Sequence, residues 1–179
     1  MNPVLRNRLA GLAIALAIFA VDQFLKHLVV DMLGMQLGDS IPIVPVFNIS
    51  LTHNYGVSLG MFKATSSEMR WILSGVTAAI ALVVTVWMLR ERRMADIGGL
   101  ALILGGALGN IKDRYDLGYV IDYADLHFGA WRPFLVFNLA DAAITIGVLI
   151  ILARSLFARE KADEGEGEPV ADPISSEAS

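Results

Sequence analysis

Four long apolar runs, separated by polar and charged stretches, organise the chain. A bilayer core of about 30 Å takes roughly 20 mostly apolar helical residues to cross. Residues 71–89 carry no charge and predict the clearest span. Residues 9–30 predict another, uncharged up to Asp22 and interrupted again at Lys26. Residues 97–111 are uncharged, short and rich in glycine, and residues 134–153 are apolar except for Asn138 and Asp141. Four spans put both termini on one side of a membrane.

The intervening segments carry their own pattern. Val46 to His53 and Tyr119 to Phe128 contain alternating apolar and polar stretches, a strand signal. They predict a small sheet on the outer surface, and Ser66 to Arg70 reads as an amphipathic lead into the second span. In the third span Ala101, Gly105 and Gly109 recur every fourth residue, and Gly98, Gly106 and Asn110 form a second set. Small residues so placed let helix backbones approach closely in lipid.

Basic residues orient the spans. Arg6, Arg8, Arg90, Arg92, Arg93, Arg154, Arg159 and Lys161 flank span ends on one side. Lys63, Arg70, Lys112, Arg114 and Arg132 are spread over the longer loops opposite. The Lys/Arg-rich side is the cytoplasmic one, so the 31–70 and 112–133 loops face outward. The first run resembles a secretory signal at Ala15-Leu16-Ala17, but its apolar stretch continues well beyond, which favours a retained span. Trp71, Trp87 and Trp131 fall at span ends or interfaces, as aromatic belts do.

Composition sharpens this picture. Of 179 residues 55% are hydrophobic and only 18% charged, against about 25% charged in soluble domains. A soluble enzyme is disfavoured. There is no cysteine, which removes disulfides, thiol nucleophiles and Cys-ligated metals, and the three histidines lack any metal-ligand spacing. No metal, cofactor or nucleic acid is implied. The net charge of −4 is a property of the end of the chain: seven acids lie between Glu160 and Ser179 against Lys161 alone, and the rest is slightly basic. Residues 1–157 read as a membrane domain and 158–179 as a disordered, acidic cytoplasmic tail with too little apolar surface to order itself.

Ionisable groups inside spans are costly and point to function. Counting about 1.5 Å per helical residue places Asp22 some eight residues below the outer end of the first span. Asp141 falls seven residues inside the fourth, with Asn138 one turn above on the same face. Asn110 and Arg114 are one turn apart at the outer end of the third. With Asp122 from the outer loop, these residues converge near one level. Without thiols or metal ligands, two carboxylates sharing a proton are the economical chemistry: the ionised one takes a proton from water, the protonated one donates to a carbonyl oxygen. The outer loop offers Asp113, Asp116 and Asp125 as rivals to Asp122.

Five blocks, in order, resemble the bacterial lipoprotein signal peptidase (signal peptidase II) family. They are Asp22-Gln23-Phe24-Leu25-Lys26, Asn54-Tyr55-Gly56-Val57-Ser58, Gly109-Asn110-Ile111-Lys112-Asp113-Arg114, Val120-Ile121-Asp122-Tyr123, and Phe137-Asn138-Leu139-Ala140-Asp141-Ala142-Ala143-Ile144. Each is weak alone; together they are specific, and they cover about residues 9–156. The resemblance implies an all-α membrane protein of four transmembrane helices with a small extracytoplasmic β-cradle. It implies an aspartic peptidase that cuts diacylglyceryl-modified prolipoproteins just before the lipidated cysteine. By motif position Asp122 and Asp141 would be catalytic, Asn54, Asn110, Arg114 and Asn138 would hold substrate, and Asp22 and Lys26 would support them. Membrane lipids and globomycin-type inhibitors would be further partners, and the site would face outward from the plasma (inner) membrane. Lys112 and Leu59 depart from residues more frequent in the family at those positions.

Other readings compete on the residues alone. Asp22 and Lys26 are spaced as an ion pair, and Arg114 as a side chain that snorkels to phosphates. Buried Asp22, Lys26 and Asp141 also suit a proton-coupled membrane carrier or a carrier subunit. All of these charges lie in the outer half, however, with no relay to the other side. A Ser–Lys peptidase would rest on Ser58 and Lys63 alone.

Overall fold

A computed structural model describes residues 2–56 and 67–165. Helix α1 (Pro3–His27) starts at the Asn2 cap, whose side chain accepts from the Val4 N–H, and runs on through a π-helical turn, Leu28–Met32. Strands β1 (Ser40–Val44) and β2 (Phe47–Asn54) follow, then α2 (Ser67–Arg90), α3 (Met94–Asp116), β3 (Val120–Leu126) and α4 (Leu139–Gly165). Among the described residues, four segments are long and apolar enough to cross a membrane: Pro3–Met32, Arg70–Arg90, Met94–Asp116 and Leu139–Phe157. Their outward faces carry exposed apolar side chains such as Leu16, Leu82, Val83 and Leu149, a surface suited to lipid.

The span boundaries differ from the sequence expectation: the third runs over Met94–Asp116 instead of 97–111, and the second is one residue longer at each end, Arg70–Arg90. The first span is longer at both ends: the Asn2 cap starts the helix at Pro3, and the π-turn carries the helical path past residue 30. The fourth begins at Leu139 instead of Phe134. Phe137 is drawn onto β3 as an extended partner of Ala124, its N–H donating at 3.1 Å and its carbonyl accepting at 2.7 Å. α4 then continues past residue 157 to Gly165; the remainder of the acidic tail lies outside the described residues, as do Val57, Ser58, Leu59, Lys63 and Ser66.

α3 is the central helix, packed on α1, α2 and α4. Glycines make this closeness feasible. A Cβ on Gly105 would meet the Ala15 carbonyl and Ile18 of α1, and one on Gly106 the Ala140 carbonyl and Ile144 of α4. Gly147 of α4 lies against the Gly99 carbonyl in the same way. The second small-residue set therefore runs through Gly99, not Gly98, which has nothing within 4 Å. α2 closes the third side with Ala81, Val84 and Met88 against Ala15, Ile97, Leu100 and Leu104.

At one end of the bundle Arg8 donates to the Glu91 carbonyl, Asn7 to the Arg92 carbonyl, and Arg154 pairs with Asp96. At the other end sits an antiparallel sheet of order β1-β2-β3. β2 and β3 match the two strand signals in the sequence. β1 was not anticipated, and it is exposed along its length. The sheet packs Leu51, Ile121, Tyr123 and Ala124 onto Val29 and Met35 at the end of α1. A register shift between Ile49 and Thr52 of β2 brings Thr52 opposite Asp122, and β3 is buried on both faces.

Candidate active site

The beginning of α4 builds half of the site. Asn138 caps the helix: its Oδ1 accepts from the Asp141 N–H at 2.9 Å, and its own N–H donates to Asp141 Oδ2 at 3.4 Å. This reciprocal arrangement is a capping box with Asn and Asp in the two roles. It places Asp141 in the first helical turn, where the helix N-terminus favours a carboxylate. Asp141 is thus at the mouth of the fourth span and not seven residues inside it, since the helix starts later than the hydrophobic run.

β3 supplies the other half. Because Phe137 is stitched to Ala124, the Asn138 side chain reaches the strand, and its Nδ2 donates to Asp122 Oδ1 at 2.6 Å and to the Ile121 carbonyl at 3.2 Å. Asn54, at the end of β2, hydrogen-bonds Asp122 as well. Its own Oδ1 is occupied by the Gly56 N–H at 2.8 Å, which leaves the amide nitrogen for the carboxylate. Asn110 of α3 completes a bridge, donating to Asp141 Oδ1 at 2.9 Å and accepting from Asn138 Nδ2 at 3.3 Å. An unbroken path, Asp122–Asn138–Asn110–Asp141, joins the two carboxylates.

The surroundings treat Asp122 unlike its rivals. Asp113 is paired with Lys26 at 2.7 Å, Asp116 with Lys112 at 2.6 Å and Asp125 with Arg132 at 3.1 Å. Asp122 has no cation at ion-pair distance among the described residues. Burial, and then the negative charge of Asp141, push its carboxyl up to about 7, against the smaller opposing effects of Asn54, Asn138 and Lys26. Hydrogen bonds from Arg132 hold Asp125 below the ordinary carboxylate range. Tyr123, pushed up to about 12 by burial, stays neutral and accepts from the Leu139 N–H at 3.3 Å.

The other anticipated residues sort into three sets. Asn138 is wholly buried and Asn110 nearly so, and both amides are hydrogen-bonded to the two carboxylates and to each other. Arg114 is half-buried, donates to the Asn110 carbonyl at 3.4 Å, and lies within electrostatic reach of Asp141, Asp122 and Asp113. Its Nε has no partner among the described residues. Asp22 and Lys26 are an ion pair at 2.8 Å, both buried, set behind the two carboxylates. Asp113 was read only as a rival to Asp122; it belongs instead to this ion-pair group. The spacing of Asn110 and Asp113, three apart on one helix face, carried that signal.

Two cavities flank the pair. One, of about 300 Å³, is lined by Thr52, Asn54, Tyr55, Asp122, Leu135 and Val136. The other, about 310 Å³ and largely apolar, is lined by Phe134, Phe137, Asp141, Ala142, Thr145 and Ile146.

Comparison with known proteins identifies the family. The sequence model of the signal peptidase (SPase) II family matches residues 14–157. The chain belongs to the signal peptidase II family. It is 46% identical to the lipoprotein signal peptidase of Sphingopyxis alaskensis, over 90% of this chain and 94% of that one. To the enzyme of the same name from Rhizorhabdus wittichii it is 45% identical, over 86% and 90%, and to that of Klebsiella pneumoniae 34%, over 87% and 93%. Among solved structures, a bacterial membrane enzyme determined by the in meso method superposes with a TM-score of 0.74 at 25% identity, covering 90% of this chain and 94% of the other. A second, also described as a bacterial membrane enzyme, gives 0.72 at 27%, covering 82% and 92%. Membership of this family leaves the carrier reading without support.

Proposed function

We propose that the chain is an aspartic endopeptidase in which Asp122 and Asp141 are the catalytic pair. As a member of the signal peptidase II family it is a multi-pass bacterial membrane peptidase that removes lipoprotein signal peptides. The observation carrying the aspartic reading is the buried Asp122 carboxyl, without a cationic partner among the described residues and linked to Asp141 through Asn138 and Asn110.

In the proposed reaction one proton is shared by the pair, and Asp122, with its raised carboxyl, holds it. A water lies between the two. Asp141 takes a proton from the water as its oxygen attacks the scissile carbonyl carbon, and Asp122 donates its proton to the carbonyl oxygen. The tetrahedral gem-diol collapses by breaking the C–N bond: Asp141 passes its proton to the leaving amine while the Asp122 carboxylate takes back a hydroxyl proton, which forms the product carboxyl group and returns the pair to its starting state. Asn54 and the free edge of the Arg114 guanidinium offer hydrogen bonds to substrate, while Asn110 and Asn138 keep the carboxylates in place.

The substrate is a prolipoprotein carrying diacylglycerol on a cysteine, cut just before that residue. The apolar cavity at Asp141 suits the lipid-embedded part of such a substrate, and the cavity at Asp122 its polypeptide. Cyclic peptides of the globomycin type would compete for the same space. The Lys/Arg-rich end of the bundle, which gathers Arg8, the α2–α3 link and Arg154, is the cytoplasmic one; the sheet and the site then face outward.

The test is a gel-shift assay of purified protein on a diacylglyceryl-modified prolipoprotein. Cleavage by the native protein and none by folded Asp122→Asn or Asp141→Asn is the expected result. Cleavage surviving both substitutions would overturn the aspartic mechanism.

A further inference from the structure

Behind the carboxylate pair three charged side chains are buried together. Lys26 of α1 lies 2.8 Å from Asp22 Oδ2 and 2.7 Å from Asp113 Oδ2, and it reaches Asn110 Oδ1 at 3.4 Å. All three of these charged groups are at least 97% removed from solvent. Burying three charges is expensive unless each is paired and hydrogen-bonded, and here the two carboxylates make further hydrogen bonds in a patterned way.

Asp22 Oδ1 accepts from the N–H of Ala140, at 3.0 Å. Asp113 Oδ2 accepts from the N–H of Ile121, at 3.2 Å. Ala140 immediately precedes Asp141, and Ile121 immediately precedes Asp122. Each buried acid thus grips the backbone one residue before a member of the pair, and Lys26 ties the two acids to each other. Asp113 Oδ1 is further fixed by the Gln23 side-chain amide, whose Nε2 donates to it at 2.9 Å.

We propose that Lys26, Asp22 and Asp113 form a hydrogen-bonded clamp that sets the spacing of the two catalytic segments through the Ala140 and Ile121 N–H groups, and that Asp113 is a positioning residue for hydrolysis. The inference rests on the Asp122–Asp141 reading above. The clamp draws its three members from α1 and α3, which are locked together by Gly105 and Gly109. It holds α4 and β3, whose own direct tie runs through Phe137 and Asn138. Without the clamp, the start of α4 and the middle of β3 would still be joined, but the carboxylates would not be held at one separation against the helical core. A displacement of about 1 Å at a reacting centre costs on the order of 100-fold in rate.

The experiment compares Asp113→Ala and Asp113→Asn with the native protein in the prolipoprotein assay, with Asp122→Asn as reference. The alanine variant loses the acceptor for Ile121; the asparagine variant keeps an oxygen there and loses only the charge. Asp113→Ala is expected to lower kcat by about 100-fold with KM nearly unchanged, the mark of a group felt only at the reacting centre. Asp113→Asn is expected to recover most of that loss, because the hydrogen bond survives without its charge assistance. Native kcat in folded Asp113→Ala overturns the clamp, as does Asp113→Asn being as slow as the alanine variant. If Asp113→Ala does not fold, Asp113→Asn decides: a raised KM with native kcat overturns the proposal, and a modestly lowered kcat at native KM supports it. Activity in Asp122→Asn would instead remove the catalytic pair itself, so the two failures are distinguishable.

Discussion

Asn138 donates to Asp122 across 2.6 Å while its Oδ1 caps the helix that carries Asp141. One buried amide therefore serves both carboxylates, so the start of α4 and the geometry of the site are a single feature. Asn138→Ala should lose the cap, about 1 kcal/mol by itself, and leave Asp122 without its shortest donor. A lowered unfolding temperature in detergent together with at least a tenfold loss of kcat is expected. A variant as active as the native protein would show that the bridge is dispensable.

Activity should decline with alkaline pH. The Asp122 carboxyl, raised to about 7, must keep its proton to donate it to the carbonyl oxygen. Above about 7 the protonated fraction falls tenfold per pH unit, and kcat/KM should follow with a slope of about −1. A profile flat to pH 9 would contradict the assignment of Asp122 as the proton donor.

The same raised carboxyl has a cost for stability. Its value in the unfolded chain is near 3.8, so the unfolded state releases the proton first as pH rises. Stability therefore falls between about pH 4 and pH 7 and levels off above, by at most about 4 kcal/mol. Asp122→Asn removes this dependence. It should be inactive yet more resistant to unfolding than the native protein at pH 8, with the difference shrinking toward pH 5. Parallel melting curves at the two pH values would count against a buried, unpaired Asp122.

Asp125 offers a control close at hand. It lies three residues along β3 from Asp122, is equally buried, and is neutralised by Arg132. Asp125→Asn should keep kcat near the native value, because that carboxylate is committed to an ion pair. Its loss of activity to the level of Asp122→Asn would reopen the choice between them.

Glycine substitutions separate packing from composition. A Cβ on Gly106 would press on the Ala140 carbonyl, one residue before Asp141, and α4 would have to move. Gly106→Ala should cost about 1–3 kcal/mol and reduce activity. Gly98→Ala meets open space in the same helix and should be neutral or slightly stabilising, since alanine is the better helix former. Thermal unfolding and cleavage rates of the pair measure both effects.

Much of this architecture was legible in the linear pattern. Hydrocarbon cannot solvate a bare backbone, so long uncharged runs must become helices, and all four appear. Alternation marked β2 and β3, because a half-buried strand shows its period directly. β1 left no such mark: it is exposed along its length and owes its conformation to pairing with β2. The five motif blocks named Asp122 and Asp141, but depth counting misplaced Asp141. Hydropathy continues through Phe134–Phe137, whereas the backbone there is held by Ala124.

What the sequence determined by itself was the set of chemical groups, the four helices and the family. What only the tertiary structure decided was how those groups are paired. Four acids between residues 113 and 125 are equivalent on paper. Folding gives Asp113 to Lys26, Asp116 to Lys112 and Asp125 to Arg132, and leaves Asp122 facing Asp141. Charge partners lie up to 87 residues apart in the chain, and burial, which gives each pairing its strength, exists only once the helices and the sheet have closed around them.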